Sequence, residues 1–221
     1  MKLFAAALLA LSAAATTQAA VIVTNTTQYN AGYTVSNTDL LQQHLASATY
    51  SGNYSAENAL GAAAFTNGVF GTQGNQGNGG QAATGFTGNV ATFMLDRAYN
   101  LSSIDSYAGW DAYRGGQSYD VYFATLANPS TYQFLATVYN DATGVNIGNT
   151  NTRANLVGSN GFLATNVTSL RFNFKDNLNQ GYNGYREIDV QGSAVVPEPA
   201  SIALFGLALA GMAMFGRRQR G

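Results

Sequence analysis

Seven short runs rich in aromatic and β-branched residues, at 21–24, 31–35, 90–95, 119–125, 132–139, 170–174 and 186–190, constrain the fold of this chain more than any other feature. Gly, Asn, Ser and Thr bound nearly all of them, so each reads as a strand stopped by a turn. Several alternate strictly. Tyr119, Val121 and Phe123 take one face while Asp120 and Tyr122 take the other, and Leu170, Phe172 and Phe174 likewise oppose Arg171 and Asn173. Side chains of a strand point to its two faces in turn, so this pattern buries one face and wets the other. Many short strands of this kind predict an all-β fold, an antiparallel β-sandwich or jelly roll. One or two helical turns fit 37–45, where Asn37 or Thr38 would cap and Leu40, Leu41 and Leu45 fall at helical spacing. Residues 71–89 and 140–151 read as connecting loops from their Gly, Asn and Gln content.

The first twenty residues stand apart. Lys2 precedes an unbroken apolar run from Phe4 to Leu11, and Thr17 and Ala19 put small residues at the positions a signal peptidase reads. The run is short of the ~20 residues a spanning helix needs, so 1–20 reads as a secretory signal peptide, delivered to the Sec translocon and cleaved after Ala19 or Ala20. The body, 21–195, is then long enough for one domain with a real core. Of ten Lys and Arg, Lys2, Arg217, Arg218 and Arg220 lie outside the body, and of eleven Asp and Glu only Glu198 does. Six basic and ten acidic residues remain, and so mildly acidic a body offers nucleic acid no basic face. The chain has no Cys, so an exported domain must here stand on its core, with or without a metal.

Between Asn53 and Gly192 the body resembles the galactose-binding-like jelly roll of discoidin (coagulation factor type C) domains and related carbohydrate-binding modules. Phe65-Thr-Asn-Gly-Val-Phe-Gly stands where that family has an Asp-Gly turn. Ala91-Thr-Phe-Met-Leu-Asp resembles its strand ending in Leu-Asp, Ser118-Tyr-Asp-Val-Tyr-Phe-Ala-Thr its Tyr-x-Val strand, and Tyr185-Arg-Glu-Ile-Asp-Val-Gln-Gly its closing strand. The resemblance implies a structural calcium at the turn, but the acid there is replaced by Asn67. With Glu187 as the one charged partner, calcium would bind weakly or not at all.

The tail, 196–221, has three parts: Val196-Pro197-Glu198-Pro199, an apolar stretch at 200–216, and Arg217, Arg218 and Arg220. Seventeen helical residues would span about 25 Å, short but insertable, and the arginines would stay cytoplasmic with the body outside. The prolines keep the preceding segment extended. This pattern resembles the PEP-CTERM sorting signal of bacterial exported proteins. It implies a tether in the inner membrane, recognition by an exosortase through Pro197, Glu198 and Pro199, and release to the cell surface or extracellular matrix.

Chemistry in the body is mostly eliminated. One His and no Cys exclude a typical zinc site, and His44 lacks a nucleophile elbow to serve in a triad. Asp105, Asp111 and Asp120 lie close in sequence and could supply the paired carboxylates of a glycoside hydrolase, the least favoured reading. The richest binding candidate is 106–117, with the only Trp. Trp110 and Tyr113 could offer rings to a sugar while Asp111 and Arg114 bond its hydroxyls. Alternatively Trp110 plugs the core and Arg114 pairs with Asp111. Tyr182, Asn183 and Tyr185 form a second cluster. The expectation is a non-catalytic module for exopolysaccharide or a surface glycan, with a structural matrix protein as the alternative.

Overall fold

One strand, β4 (Val90–Trp110), runs for 21 residues and belongs to both layers of the molecule. The computed structural model describes residues 20–71, 81–110, 114–141, 150–175 and 181–196. Besides β4 these hold β1 (Val21–Tyr29), α1 (Leu40–Gln43), β2 (Leu45–Ser51), β3 (Ala83–Gly85), β5 (Gln117–Thr125), β6 (Asn128–Asn140), β7 (Thr150–Gly158), β8 (Ala164–Phe174) and β9 (Asn183–Ala194). The start of β4 pairs with β2 and β8, its end with β7 and β9. Register shifts around Tyr99 and Leu101 carry it from one layer to the other. Gly192, opposite Leu101, allows the close passage: a Cβ there would lie 2.6 Å from the Asn100 carbonyl oxygen. The result is an antiparallel sheet doubled over on itself, with β2-β4-β8-β5-β6 as the first layer and β1-β7-β4-β9-β3 as the second.

The core between the layers follows from the alternation. Phe93, Tyr119, Val121, Phe172 and Phe174 of the first layer face Ile104, Leu156, Tyr185, Ile188 and Val190 of the second, and all are buried. Phe65 stacks on Phe174 at 5.3 Å, and Tyr185 meets Phe174 at 4.7 Å. Each such side chain contributes roughly 1.5–3 kcal/mol by leaving water.

Several expectations need correction. Residues 31–35 are not a strand; they run unpaired across the outside of the second layer, where Tyr33 packs on Phe70 and Tyr107 at 5.8 and 5.7 Å. The helix is a single turn, within the one or two expected, but its cap is Asp39, whose Oδ1 accepts the Leu41 N–H at 2.8 Å, not Asn37 or Thr38. β3 lies within the expected loop 71–89, and β7 begins at Thr150, inside the other. Trp110 ends β4, so the first part of the binding candidate 106–117 is strand.

The outer face of the second layer is polar yet covered. Asp105 and Tyr107 of β4, Asn151, Arg153 and Asn155 of β7 and Glu187 and Asp189 of β9 lie there by the strand alternation. The segment around α1 satisfies part of it: Asn151 Nδ2 donates to the Ala31 carbonyl oxygen at 2.7 Å, the Ser36 N–H donates to Asp189 Oδ2 at 2.7 Å, and the Val190 N–H donates to Asp39 Oδ1 at 3.2 Å.

Candidate functional site

At the end of the sandwich where β4 stops, Trp110 is 1% exposed. Its ring meets Tyr182 edge-on at 5.9 Å and packs with Ala82, under Ala56, Ala59 and Phe86. Gly184 makes the room: a Cβ there would lie 2.6 Å from Trp110 Cε3. A ring so enclosed has no face to offer a sugar, so Trp110 is a plug and not a stacking platform. Tyr182 is buried with it.

Among the described candidates, Arg114 is the one at the surface of this end. Its guanidinium lies 4.2 Å from the Tyr182 ring centre, and Nη1 donates to the Tyr182 hydroxyl at 2.7 Å and to Glu57 Oε2 at 2.5 Å. Its carbonyl oxygen accepts the Gly184 N–H at 2.8 Å, which ties the residue to β9. Glu57 and Asn58 both hold left-handed backbone, φ 51° and 62°, uncommon for residues other than Gly. The Tyr182 hydroxyl and Arg114 hold the Glu57 carboxyl below its usual range. Sequence reasoning overlooked Glu57; the signal available was that it is the only acid between Asp39 and Asp96. Asp111 and Tyr113 lie outside the described residues.

Asn67 and Glu187 do converge, but on amides. Asn67 Oδ1 accepts the Val69 N–H at 2.9 Å; Glu187 Oε2 accepts the Gly68 and Val69 N–H groups at 2.8 and 3.3 Å, and Oε1 accepts Gln42 Nε2 at 3.4 Å. A cation would have to displace these donors. Burial, followed by the nearby Asp189, pushes Glu187 up to about 8, so it holds a proton at neutral pH. The described residues hold no group of three His or carboxylate side chains placed for a metal. The donor set does not fit calcium.

Of the three carboxylates suspected of hydrolysis, Asp111 lies outside the described residues, and Asp105 and Asp120 are separated. Asp105 lies on the outer face of the second layer, bonded to Arg153 at 2.7 Å and Asn155 at 2.9 Å. Asp120 lies on the outer face of the first, bonded to Lys175 at 2.6 Å and Thr137 at 2.7 Å. Two acids on opposite outsides of a sandwich cannot flank one glycosidic bond. His44 bonds Asp96 at 3.3 Å at the end of α1. Open aromatic surface occurs on the first layer: Phe134 is 52% exposed and edge-on to Tyr122 at 5.6 Å, and Arg171 lies 3.7 Å over Tyr132.

Residues 195–220 match the family model described as the PEP-CTERM protein-sorting motif. The chain therefore ends in the sorting signal that its three-part tail resembles. No curated protein matches the sequence. Similar solved structures include the lectin domain of Lectinolysin complexed with Lewis B antigen, at 16% identity over 72% of this chain and 100% of that one, TM-score 0.46. CpGH89CBM32-5 from Clostridium perfringens, in complex with GalNAc-beta-1,3-galactose, is 14% identical over 70% and 99%, TM-score 0.45. The CBM32 of AlyQ in complex with 4,5-unsaturated mannuronic acid is 13% identical over 66% and 94%, TM-score 0.44. Among the described residues no helix is long and apolar enough to cross a membrane; the tail stretch expected to insert, 200–216, and residues 1–19 of the expected signal peptide lie outside them.

Proposed function

We propose that this is an exported protein, sorted through its PEP-CTERM tail by an exosortase, whose sandwich binds exopolysaccharide or a surface glycan without catalysing a reaction. The observation that carries the reading is the Arg114–Glu57 pair. A guanidinium seated on the Tyr182 ring and tied to a carboxylate is fixed in direction at the edge of solvent, and it offers sugar hydroxyls both donors and an acceptor. Trp110 and Tyr182 serve as its buried base, and Asp111 and Tyr113 adjoin it in sequence. One polar contact of this kind is weak, so retention relies on many copies at a surface. Pull-down of the purified protein on immobilised polysaccharides tests it: Arg114→Ala should lose binding while Phe134→Ala, on the other exposed surface, keeps it. Loss only in Phe134→Ala would move the site to the first layer's outer face and end the Arg114 reading.

The burial of Trp110 favours a second reading, a structural matrix protein with no defined ligand. Failure of the wild type to bind any polysaccharide tested would select it.

A further inference from the structure

Arg186 is the extra residue of a bulge in β9, where Tyr107 pairs with Glu187 but Ala108 pairs with Tyr185. It is fully buried, and its Nε donates to the Gly109 carbonyl oxygen at 2.8 Å. Neither Nη1 nor Nη2 has a hydrogen-bond partner. No ion pair among the described residues includes it. The Phe70 ring, 5.8 Å from Cζ, is near the limit at which a ring attracts a cation. Burial lowers its pKa to about 10, which leaves the guanidinium charged at neutral pH.

Its surroundings are short of partners in the same way. Asn151 Oδ1, opposite Gly109 on the same face, is a buried acceptor without a donor. Unmet polar atoms are rare in folded proteins and uncompensated buried charges rarer, so a cluster of both points to a missing group. On the same face the Arg153 guanidinium is matched by Asp105, whereas no carboxylate among the described residues pairs with Arg186. The Arg186 fork needs a planar, negatively charged acceptor of two N–H bonds, which is the geometry of a carboxylate.

We infer that Arg186 is the receptor for one carboxylate ion or carboxylate-bearing ligand at this end of the second layer. The site is separate from the Arg114 cluster, because Gly109 and Trp110 are consecutive in a strand and face opposite sides. The inference does not rest on the glycan reading. Arg186 is fully buried beside the Phe70 ring, so entry requires local opening of the kind proteins undergo at their less stable edges.

Thermal melts of the wild type and Arg186→Met at constant ionic strength test it, with sodium acetate, sodium glucuronate, sodium chloride and glucose as additives. The wild-type Tm should rise by roughly 3 °C or more in saturating carboxylate relative to chloride, and Arg186→Met should lose that difference. Glucose should have no effect. A response to acetate alone identifies a small free carboxylate as the ligand; a response to glucuronate as well identifies a sugar-borne one. Arg186→Lys, which keeps the charge and loses the fork, should bind at least tenfold more weakly and reads the result if the Met variant fails to fold. An equal response in wild type and variants, or none in the wild type, overturns the inference and leaves Arg186 an internally hydrated side chain.

Discussion

Replacing Trp110 with Ala should destabilise the whole sandwich. The ring is 1% exposed, closes the end of the core beside Tyr182 and Ala82, and sits over a Gly184 that admits no side chain. Emptying a buried aromatic site costs about 3–5 kcal/mol. The indole Nε1 makes no hydrogen bond, so no such bond is lost and the lower part of that range, about 3–4 kcal/mol, applies. In a domain of this size 1 kcal/mol moves Tm by about 2–4 °C, so Trp110→Ala should melt roughly 6–16 °C below the wild type. Far-UV circular dichroism measures the shift. Because Trp110 is the only Trp, iodide should quench the fluorescence of the folded protein weakly and that of the urea-unfolded protein strongly. A Trp110→Ala protein that melts within ~2 °C of wild type, from a parent whose fluorescence iodide quenches fully, would refute the plug and restore the exposed platform.

Burial pushes the Glu187 and Asp189 carboxyls up, to about 8 and about 7. Both hold protons more tightly folded than unfolded, so stability should fall as pH rises from the ordinary carboxyl range through their folded values, and Tm should drop between about pH 5 and about pH 9. Glu187→Gln, which keeps an acceptor for the Gly68 N–H, should flatten that slope; an unchanged slope would place the titration elsewhere. Calcium and EDTA melting curves should coincide, since amide donors occupy Glu187 and Asn67; a calcium-dependent rise in Tm would mean that these donors give way to the ion. Intact-mass measurement of cell-surface protein from a host with an exosortase should show a chain ending near Pro199, and a mass that retains Arg217 would support a permanent anchor.

The first layer could be read from the sequence because it obeys a one-sided rule. β5 and β8 bury Tyr119, Val121, Phe123, Leu170, Phe172 and Phe174 and leave Asp120, Tyr122, Arg171 and Asn173 between them half-buried on the outer face, and period-two alternation reports that directly. The second layer is covered on both faces, and its outer cover is polar. In β7, Thr150, Asn151 and Thr152 are fully buried, though their composition resembles a loop; Thr152 Oγ1 donates to the Gly115 carbonyl oxygen and accepts from Gln117 Nε2. The second half of β4 misleads in the same way, because Ser106 is a core residue bonded to Gln117 and to the Tyr119 hydroxyl at 2.7 Å. Polarity predicts exposure only where water is the available partner, and here the partners come from distant parts of the chain. Arg114 could be singled out by type. Its pairing with Glu57, 57 residues away, depends on tertiary closure that no local pattern encodes.

The direction of β9 determines which end of the body faces a membrane while the tail is still attached. β9 starts at Asn183, beside the Trp110 plug, and ends at Ala194, paired with Tyr99 at the other end of the sandwich. Its 12 residues span roughly 40 Å at a strand's rise, and the chain leads to the sorting motif from there. A tail inserted at 200–216, joined by a short Pro-containing linker, would hold the Ala194 end close to the bilayer and point the Arg114 end outward, where a matrix polymer could reach it. The chain has no native Cys, so single substitutions can report the orientation. In liposomes carrying the full chain, a fluorophore on Ser193→Cys should be quenched by lipid-borne quenchers and one on Thr87→Cys, an exposed residue beside β3 at the Arg114 end, should not. Equal quenching at the two positions would mean that the body lies along the membrane, and the Arg114 cluster would then have no geometric advantage for meeting a glycan outside the cell.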